Sequence, residues 1–286
     1  MQRSFKRFGS SPFILLPAAL MIFCSSTCAA QSQPAPAQTP ELAGIAHAAI
    51  RVADLGKSRD FYEKLGFQEA FSMAPNGTVT QSFIKVNDLQ FIELYPQRNP
   101  SDTAGFMHIC FESADIQNLN QIYASRGLSP IAVRRAGAGN LLFTMQGPEK
   151  QNIEYTQYMP GSKHTNDRGL HLGAKRISQQ IVGMGIEMQD TGAAAAFYRE
   201  KLGFKPTGSL LPGQIALALP GSSGQQIELV QHVQGSAFQF FFAVTSLRST
   251  AAQLKSLQIP FQKQRSTLWI QDPDGNRIFF VKLRQR

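Results

Sequence analysis

The sequence has few cysteines: three in 286 residues, at positions 24, 28 and 110. The first two lie in an N-terminal stretch with the layout of a secretory signal peptide, namely a basic start, an apolar run over 12–23 and small residues up to Ala30. Residues 1–30 are therefore predicted to be cleaved after Ala30, which makes the mature protein periplasmic or secreted; an uncleaved N-terminal anchor is the alternative. Cys110 then remains alone, which excludes an internal disulfide.

Charge and long hydrophobic runs are also scarce. Charged residues make up 16% of the chain and the formal net charge is +9, which falls to +6 (9 − 3) without the three basic residues of the signal peptide. No helix has a basic face and no aromatic residues alternate with basic ones, which excludes nucleic acid as the expected partner. The apolar run over 12–23 is too short for a membrane span, so none is predicted after cleavage.

Composition divides the remaining chain into two similar segments. Residues 31–44, rich in Gln, Pro and Ala, are predicted to form a disordered linker, and residues 159–180 a second linker. The segments between and after them, 45–158 and 181–283, share the sequence FYEKLGF at Phe61–Phe67 and FYREKLGF at Phe197–Phe204. A tandem repeat of one architecture is expected.

Each segment opens with a strand followed by a helix. Residues 45–52 alternate in the manner of a strand, and Asp54 is predicted to cap a helix that ends at Gly66. Strands are predicted over 80–86 and 90–95. The order then repeats, with a strand over 107–111, a helix over 116–126 and strands near residues 131, 141 and 153.

Two of the five histidines recur in register with two glutamates. His47 and Glu93 are separated by 46 positions (93 − 47), as are His108 and Glu154 (154 − 108), and the second pair follows the first by 61 (108 − 47). Two imidazoles and two carboxylates suit a divalent cation such as Zn, Ni, Mn or Fe. Because side chains alternate along strands, all four are predicted to project from one side of a curved sheet, opposite its aliphatic face.

These patterns resemble the vicinal oxygen chelate superfamily, which includes glyoxalase I, methylmalonyl-CoA epimerase, extradiol dioxygenases and bleomycin-resistance proteins. The resemblance rests on five stretches, namely residues 47–67, 91–94, 108–111, 147–154 and 272–278. It implies an α+β fold of two tandem units, each made of two paired βαβββ modules that form a cup-shaped sheet with helices outside. His47, Glu93, His108 and Glu154 fall where the metal ligands of this superfamily lie.

The second unit, over 181–283, departs from that pattern and is expected to lack the ligands. Gly183 stands where His47 does, Glu228 matches Glu93, Gln239 or Phe240 takes the place of His108, and Phe279 that of Glu154. Only pairing of the two modules within residues 45–158 therefore assembles four ligands. An exchange of modules between units would leave two incomplete sites.

The resemblance implies a metal-dependent lyase or isomerase, glyoxalase-like or epimerase-like, that uses metal-stabilised enolate chemistry with Glu154 or Glu93 as the general base. The alternatives are an extradiol ring-cleaving dioxygenase, with Glu93 outside the ligand set, and a non-catalytic binding protein. The expected partner is a small-molecule substrate, and a homodimer remains open.

Four further residues on the ligand-bearing faces are candidates for the pocket: Arg51, Tyr95, Cys110 and Tyr158. Each has an ordinary structural alternative, which for Cys110 is a small buried filler. The other three histidines, His164, His171 and His232, are predicted to be solvated.

Overall fold

The computed structural model describes Gly9 and residues 41–99, 101–221, 223–233 and 237–282. The predicted signal peptide, apart from Gly9, and most of the predicted linker over 31–44 lie outside these residues. Among the helices in the described part of the chain, none is long and apolar enough to cross a bilayer.

The first unit is one eight-stranded sheet built from two βαβββ modules. The first module contains β1 (Leu42–Val52), α1 (Leu55–Lys64), β2 (Gln68–Met73), β3 (Gln81–Lys85) and β4 (Phe91–Pro96). The second contains β5 (Gly105–Ser113), α2 (Ile116–Ser125), β6 (Arg134–Arg135), β7 (Leu141–Gln146) and β8 (Asn152–Gln157). The strand order is β2-β3-β4-β1-β5-β8-β7-β6, in which the two modules join through antiparallel pairing of β1 with β5.

A short helix, α3 (Lys163–Asn166), separates this unit from the second. The second unit has the same order of elements: β9 (Ile181–Met188), α4 (Thr191–Glu200), β10 (Lys205–Pro206), β11 (Ile215–Ala218), β12 (Gln226–Gln231), β13 (Gln239–Val244), α5 (Leu247–Ser256), β14 (Gln262–Gln264), β15 (Thr267–Gln271) and β16 (Arg277–Lys282). Its sheet order is β10-β11-β12-β9-β13-β16-β15-β14. The predicted α+β fold of two units with unswapped modules is confirmed.

The predicted helix start at Asp54 is also confirmed, and the second unit has an equivalent helix start at Asp190. The side chain of Asp54 accepts a hydrogen bond from the backbone N–H of Lys57 at 3.1 Å, and that of Asp190 accepts one from Ala193 at 2.8 Å. Each bond satisfies one of the N–H groups that the first helical turn leaves without a partner. Strand β1 begins three residues before the predicted position 45, because Leu42 is buried and its N–H donates to the carbonyl of Pro220.

The two units contact each other through matching pairs of residues. Gln90 accepts a hydrogen bond from the N–H of Ile181 at 2.8 Å, and Gln225 accepts the equivalent bond from Ile45. Aromatic rings of both units share one hydrophobic core, in which Phe67 lies 5.4 Å from Phe242 between ring centroids. The interface is therefore continuous with the core.

The segment over 159–171, here called the strap, packs against the first unit. Lys85, on β3, is fully buried, and its Nζ donates to the carboxylate of Asp167 at 2.7 Å and lies 2.8 Å from that of Asp88. Asp167 also contacts His171. A buried lysine requires such partners because desolvation of an unpaired ammonium is costly. This ion pair holds part of the predicted linker against the sheet.

Candidate metal centre

The four predicted ligands lie on four adjacent strands, in the order Glu93 on β4, His47 on β1, His108 on β5 and Glu154 on β8. Ala49 is the register partner of both Glu93 and His108. Because directly paired residues share a face of the sheet, all four side chains project from the same face, inside the cup.

The structure brings their donor atoms together. Nε2 of His47 lies 3.1 Å from Nε2 of His108 and 3.4 Å from Oε1 of Glu154, and its Nδ1 lies 3.2 Å from Oε1 of Glu93. Two ligands at right angles on one ion, with bonds of about 2.1 Å, stand about 3.0 Å apart. The spacing of the two imidazole nitrogens is therefore that of neighbouring ligands.

The hydrogen bonding of this cluster also fits a cation. Nδ1 of His47 is buried and has no hydrogen-bond partner, since its approach to Glu93 lacks the required alignment. Two groups of three residues each have ligand atoms within 4.8 Å of one another. One group is His47, Glu93 and His108, and the other is His47, Cys110 and Glu154. Imidazole nitrogen and carboxylate oxygen are ordinary ligands of Zn, Ni, Mn and Fe. The residues present would hold such an ion.

Burial and mutual charge shift the pKa values within the cluster. Burial, reinforced by Glu154 and opposed by His47, raises the pKa of Glu93 to about 6, and burial lowers that of His108 to about 4. For Glu154, burial alone would raise the pKa, but hydrogen bonding to His47 and the two histidine charges lower it. For His47, burial is outweighed by the two carboxylates, so its pKa is raised.

Glu93 is held by two polar neighbours. Gln81, on β3, donates through Nε2 to Oε2 of Glu93 and to the hydroxyl of Tyr95, both at 2.6 Å. The hydroxyl of Tyr95 in turn donates to the same Oε2 at 3.2 Å. The sequence indicated Tyr95 as a pocket residue through its alternation with Glu93, but no local pattern marked Gln81.

A cavity of about 190 Å³ opens above the cluster. Tyr95 and Tyr158, both predicted, line it, as does Arg134. Arg51 instead donates to the carbonyl of Thr103 at 3.5 Å, and Cys110 is fully buried beneath the cluster. The volume is below the roughly 300–1,000 Å³ of pockets for drug-sized ligands, which limits the occupant to a small molecule.

His164 is the main correction to the sequence analysis. Predicted to be solvated, it is 4% exposed and lines the cavity from α3. Nδ2 of Asn140 donates to its Nδ1 at 2.9 Å, since Oδ1 of Asn140 accepts from the N–H of Met159. This arrangement places the imidazole proton on Nε2, which is buried without a hydrogen-bond partner. The rings of Phe71 and Phe91 surround it at 4.9 and 4.8 Å.

The other two histidines are mainly solvent-facing. The side chain of His171 is 45% exposed and that of His232 is 47% exposed. Their predicted solvation agrees with these values.

The second cup carries other residues at three of the four ligand positions. By strand register Gly183 takes the place of His47, Gln239 that of His108 and Phe279 that of Glu154. A Cβ on Gly183 would lie 3.1 Å from the side chain of Leu210, which packs in an apolar cluster with Phe279.

The carboxylate that takes the place of Glu93 in the second cup, that of Glu228, accepts three hydrogen bonds from the protein. Glu228 accepts hydrogen bonds from the N–H of Leu210, the hydroxyl of Ser209 and the amide of Gln226. Within the described part of the second unit, no group of donors converges as in the first.

Comparison with known proteins agrees with this asymmetry. Residues 44–155 match the model of the Glyoxalase/Bleomycin resistance protein/Dioxygenase superfamily. The first unit belongs to this superfamily. The matched residues run from β1 into β8 and include all four candidate ligands. No curated protein matches the chain.

Solved structures extend the likeness to both units. The 2,3-dioxygenase LapB from Pseudomonas sp. KL28 superposes with a TM-score of 0.64 and 16% identity, over 87% of this chain and 94% of that one. The Mn(II)-bound glyoxalase from Novosphingobium aromaticivorans gives 0.64 and 14%, over 85% and 82%. Homoprotocatechuate 2,3-dioxygenase from Brevibacterium fuscum gives 0.61 and 16%, over 87% and 83%. At these identities the likeness shows a shared fold and nothing more.

Proposed function

We propose that the protein is a metal-dependent enzyme that transfers a proton on a small oxygenated substrate, as a glyoxalase-like or epimerase-like lyase or isomerase. The observation that supports this proposal is the convergence of two imidazoles and two carboxylates in one buried cup. A second carboxylate distinguishes this set from the two-histidine, one-carboxylate set of non-haem iron oxygenases.

His47, His108, Glu93 and Glu154 would hold the ion. A bound divalent cation would supply Lewis acidity to a substrate that chelates through neighbouring oxygens. Glu93 or Glu154 would take up the substrate proton, and the donors on Gln81 and Tyr95 fix the orientation of Glu93 for either role. The volume of the cavity favours a substrate of few atoms.

A second candidate function is an extradiol ring-cleaving dioxygenase. It is supported by fold likeness to such enzymes along nearly their whole length. His47, His108 and Glu154 would then hold Fe(II), with Glu93 outside the ligand set. A third candidate is a non-catalytic protein that binds a small molecule in the cup. In each case we propose that the protein is periplasmic or secreted and binds a small molecule. A monomer and a homodimer are both compatible with these functions.

Metal analysis followed by two assays separates these functions. Protein purified without chelators is analysed for metal per chain and then assayed with methylglyoxal hemithioacetal and with catechol. Nickel, zinc or manganese with proton-transfer activity supports the first function, and iron with oxygen uptake supports the second. Ligand binding that a chelator leaves unchanged supports the third.

The matched variants for this experiment are His108→Ala and His232→Ala. We expect His108→Ala to lose the metal because it removes a buried ligand, and His232→Ala to retain it because this exposed histidine lies in the second unit. Full metal content in His108→Ala would rule out the proposed site.

A further inference from the structure

Cys110 is fully buried on the same face of the sheet as the four candidate ligands. Its register partner on β1 is His47 and its register partner on β8 is Glu154, so the three side chains form one row across the sheet. The row lies on the face that carries the other two candidate ligands. Side chains in such a row have Cβ atoms about 4.5–5.5 Å apart, which is within reach of a shared ion.

The donor atoms are as close as one ion requires. One ligand atom each from His47, Cys110 and Glu154 lie within 4.8 Å of one another. Two ligands on opposite sides of one ion, with bonds of about 2.3 Å, are about 4.6 Å apart. His47 also belongs to the group with Glu93 and His108, so the two groups share this residue.

The thiol already faces one of the candidate ligands. Cys110 is fully buried; its Sγ contacts the carbonyl of Phe111 at 3.8 Å, and its S–H donates a hydrogen bond to the carboxylate of Glu154. The neighbouring residue in the row, His47, has a buried Nδ1 that makes no hydrogen bond and lies 3.2 Å from Oε1 of Glu93. A small apolar filler would not need to face three donor residues on the polar side of the sheet, where Ala49 already fills the neighbouring position.

We propose that Cys110 supplies a sulfur ligand to the cation held by His47 and Glu154. This inference rests on the proposed metal site and adds a donor to it. Binding of the ion displaces the thiol proton, so one proton leaves to solvent for each metal–sulfur bond formed. A thiolate ligand favours zinc, cobalt and iron over manganese and magnesium, which prefer oxygen.

The test uses Co²⁺ as the probe, because a cobalt–thiolate bond gives an intense near-ultraviolet charge-transfer band while nitrogen and oxygen ligands give only weak visible bands. Chelator-treated full-length protein is titrated with Co²⁺ and followed at both wavelengths. The wild type is expected to show the charge-transfer band at one Co²⁺ per chain. Cys110→Ser should lose it while keeping the visible bands, which report intact binding by the remaining ligands.

In protein that retains residues 1–30, the other two cysteines provide the matched control. The double variant Cys24→Ser/Cys28→Ser should keep the charge-transfer band, which assigns the sulfur to Cys110. X-ray absorption of the zinc-loaded wild type should show one sulfur neighbour at about 2.3 Å, absent in Cys110→Ser. The preference for Zn²⁺ over Mn²⁺ should fall in that variant by roughly tenfold or more.

Two failures are distinguishable. Stoichiometric Co²⁺ binding without a charge-transfer band, or a band that survives in Cys110→Ser, overturns the sulfur ligand and leaves the proposed function standing. Failure of the wild type to bind Co²⁺ at all overturns the metal site and the sulfur ligand together.

Discussion

At the scale of single residues, the site depends on what is small as much as on its donors. Ala49 lies between Glu93 and His108 in the sheet and is fully buried. Its methyl group leaves the space above it open to the side chains that converge there. The equivalent position in the second unit is Gly185.

Enlarging Ala49 should therefore exclude the metal while retaining the donors. In Ala49→Leu the added side chain would enter the space between His108 and Glu93, so we expect the metal per chain to fall at least tenfold. Atomic absorption after gel filtration measures it. Ala43→Leu, at an exposed position of the same strand, is the control. Unchanged metal content in Ala49→Leu would show that the ion does not lie between these residues.

His164 should make stability dependent on pH. Burial first, and then the charge of His47, lower its pKa from 6.5 to about 3. Between these values the unfolded chain binds one more proton than the folded chain, so the free energy of unfolding falls as the pH falls. For one histidine the loss between pH 7.5 and pH 5.0 is about 2 kcal/mol.

Urea unfolding of wild type and His164→Asn at these two pH values, with chelator present, measures that loss. Asn keeps an acceptor for Asn140 but does not titrate, so the variant should lose about 2 kcal/mol less than the wild type over this range. Equal losses in the two proteins would mean that His164 is protonated in the folded state.

At the scale of elements, the strap joins the first unit through a buried ion pair. Lys85 is fully buried and Asp167 is 6% exposed. Removing one partner of such a pair leaves a buried charge without compensation, whereas removing both often costs little. The strap also carries His164, which lines the cavity, so the ion pair helps to hold this part of the cavity wall in place.

A double-mutant cycle tests this attachment. We expect Lys85→Met to lower the free energy of unfolding by about 3–5 kcal/mol, and Lys85→Met/Asp167→Leu to recover most of that loss. Chemical denaturation gives the values. Lys64→Met, at an exposed position in the last turn of α1, should stay within about 0.5 kcal/mol of the wild type. A double variant no more stable than Lys85→Met would show that the pair itself is not the cause.

The elements that the sequence predicted are those with a local signal. The helix start at Asp54 and the alternation of β1 depend on neighbours within a few positions, and both agree with the structure. Strand β2 had no such signal, because its residues are mostly half-buried and polar residues interrupt its pattern. β6 is only two residues long.

Some residues of the site could not be predicted because they too lack a local sequence signal. Alternation along four strands was enough to predict that the four ligands share a face. The positions of Gln81 and His164 depend on contacts with residues distant in sequence, such as Asn140, 24 positions from His164. Composition marked the strap as a linker, whereas contacts such as those of Asp167 with Lys85 and His164 with Asn140 hold it against the first unit.

At the scale of the whole molecule, the two units should unfold together. Their shared core joins rings such as Phe111 and Phe204, 5.5 Å apart, and hydrogen bonds such as that from Tyr62 to Asp272 cross between them. A ligand of one unit should therefore stabilise the other.

Trp269, the only tryptophan of the chain, reports on the second unit. Zn²⁺ at 100 times its dissociation constant should raise the free energy of unfolding measured by Trp269 fluorescence by about 2.7 kcal/mol, although its proposed site is in the first unit. The shift should be absent in His108→Ala. If Zn²⁺ leaves the unfolding midpoint measured by Trp269 fluorescence unchanged, and circular dichroism shows a second transition, the units unfold independently.

The packing of Leu210 over Gly183 makes the divergence of the two lobes hard to reverse. A unit that carries the four donors can lose each of them through a single substitution. Single substitutions do not restore the donors. The imidazole of Gly183→His would clash with Leu210. The carboxylate of Phe279→Glu would be buried in the apolar cluster that contains Leu210. Introducing the four donors into the second unit would therefore have to begin with replacement of the loop that carries Leu210.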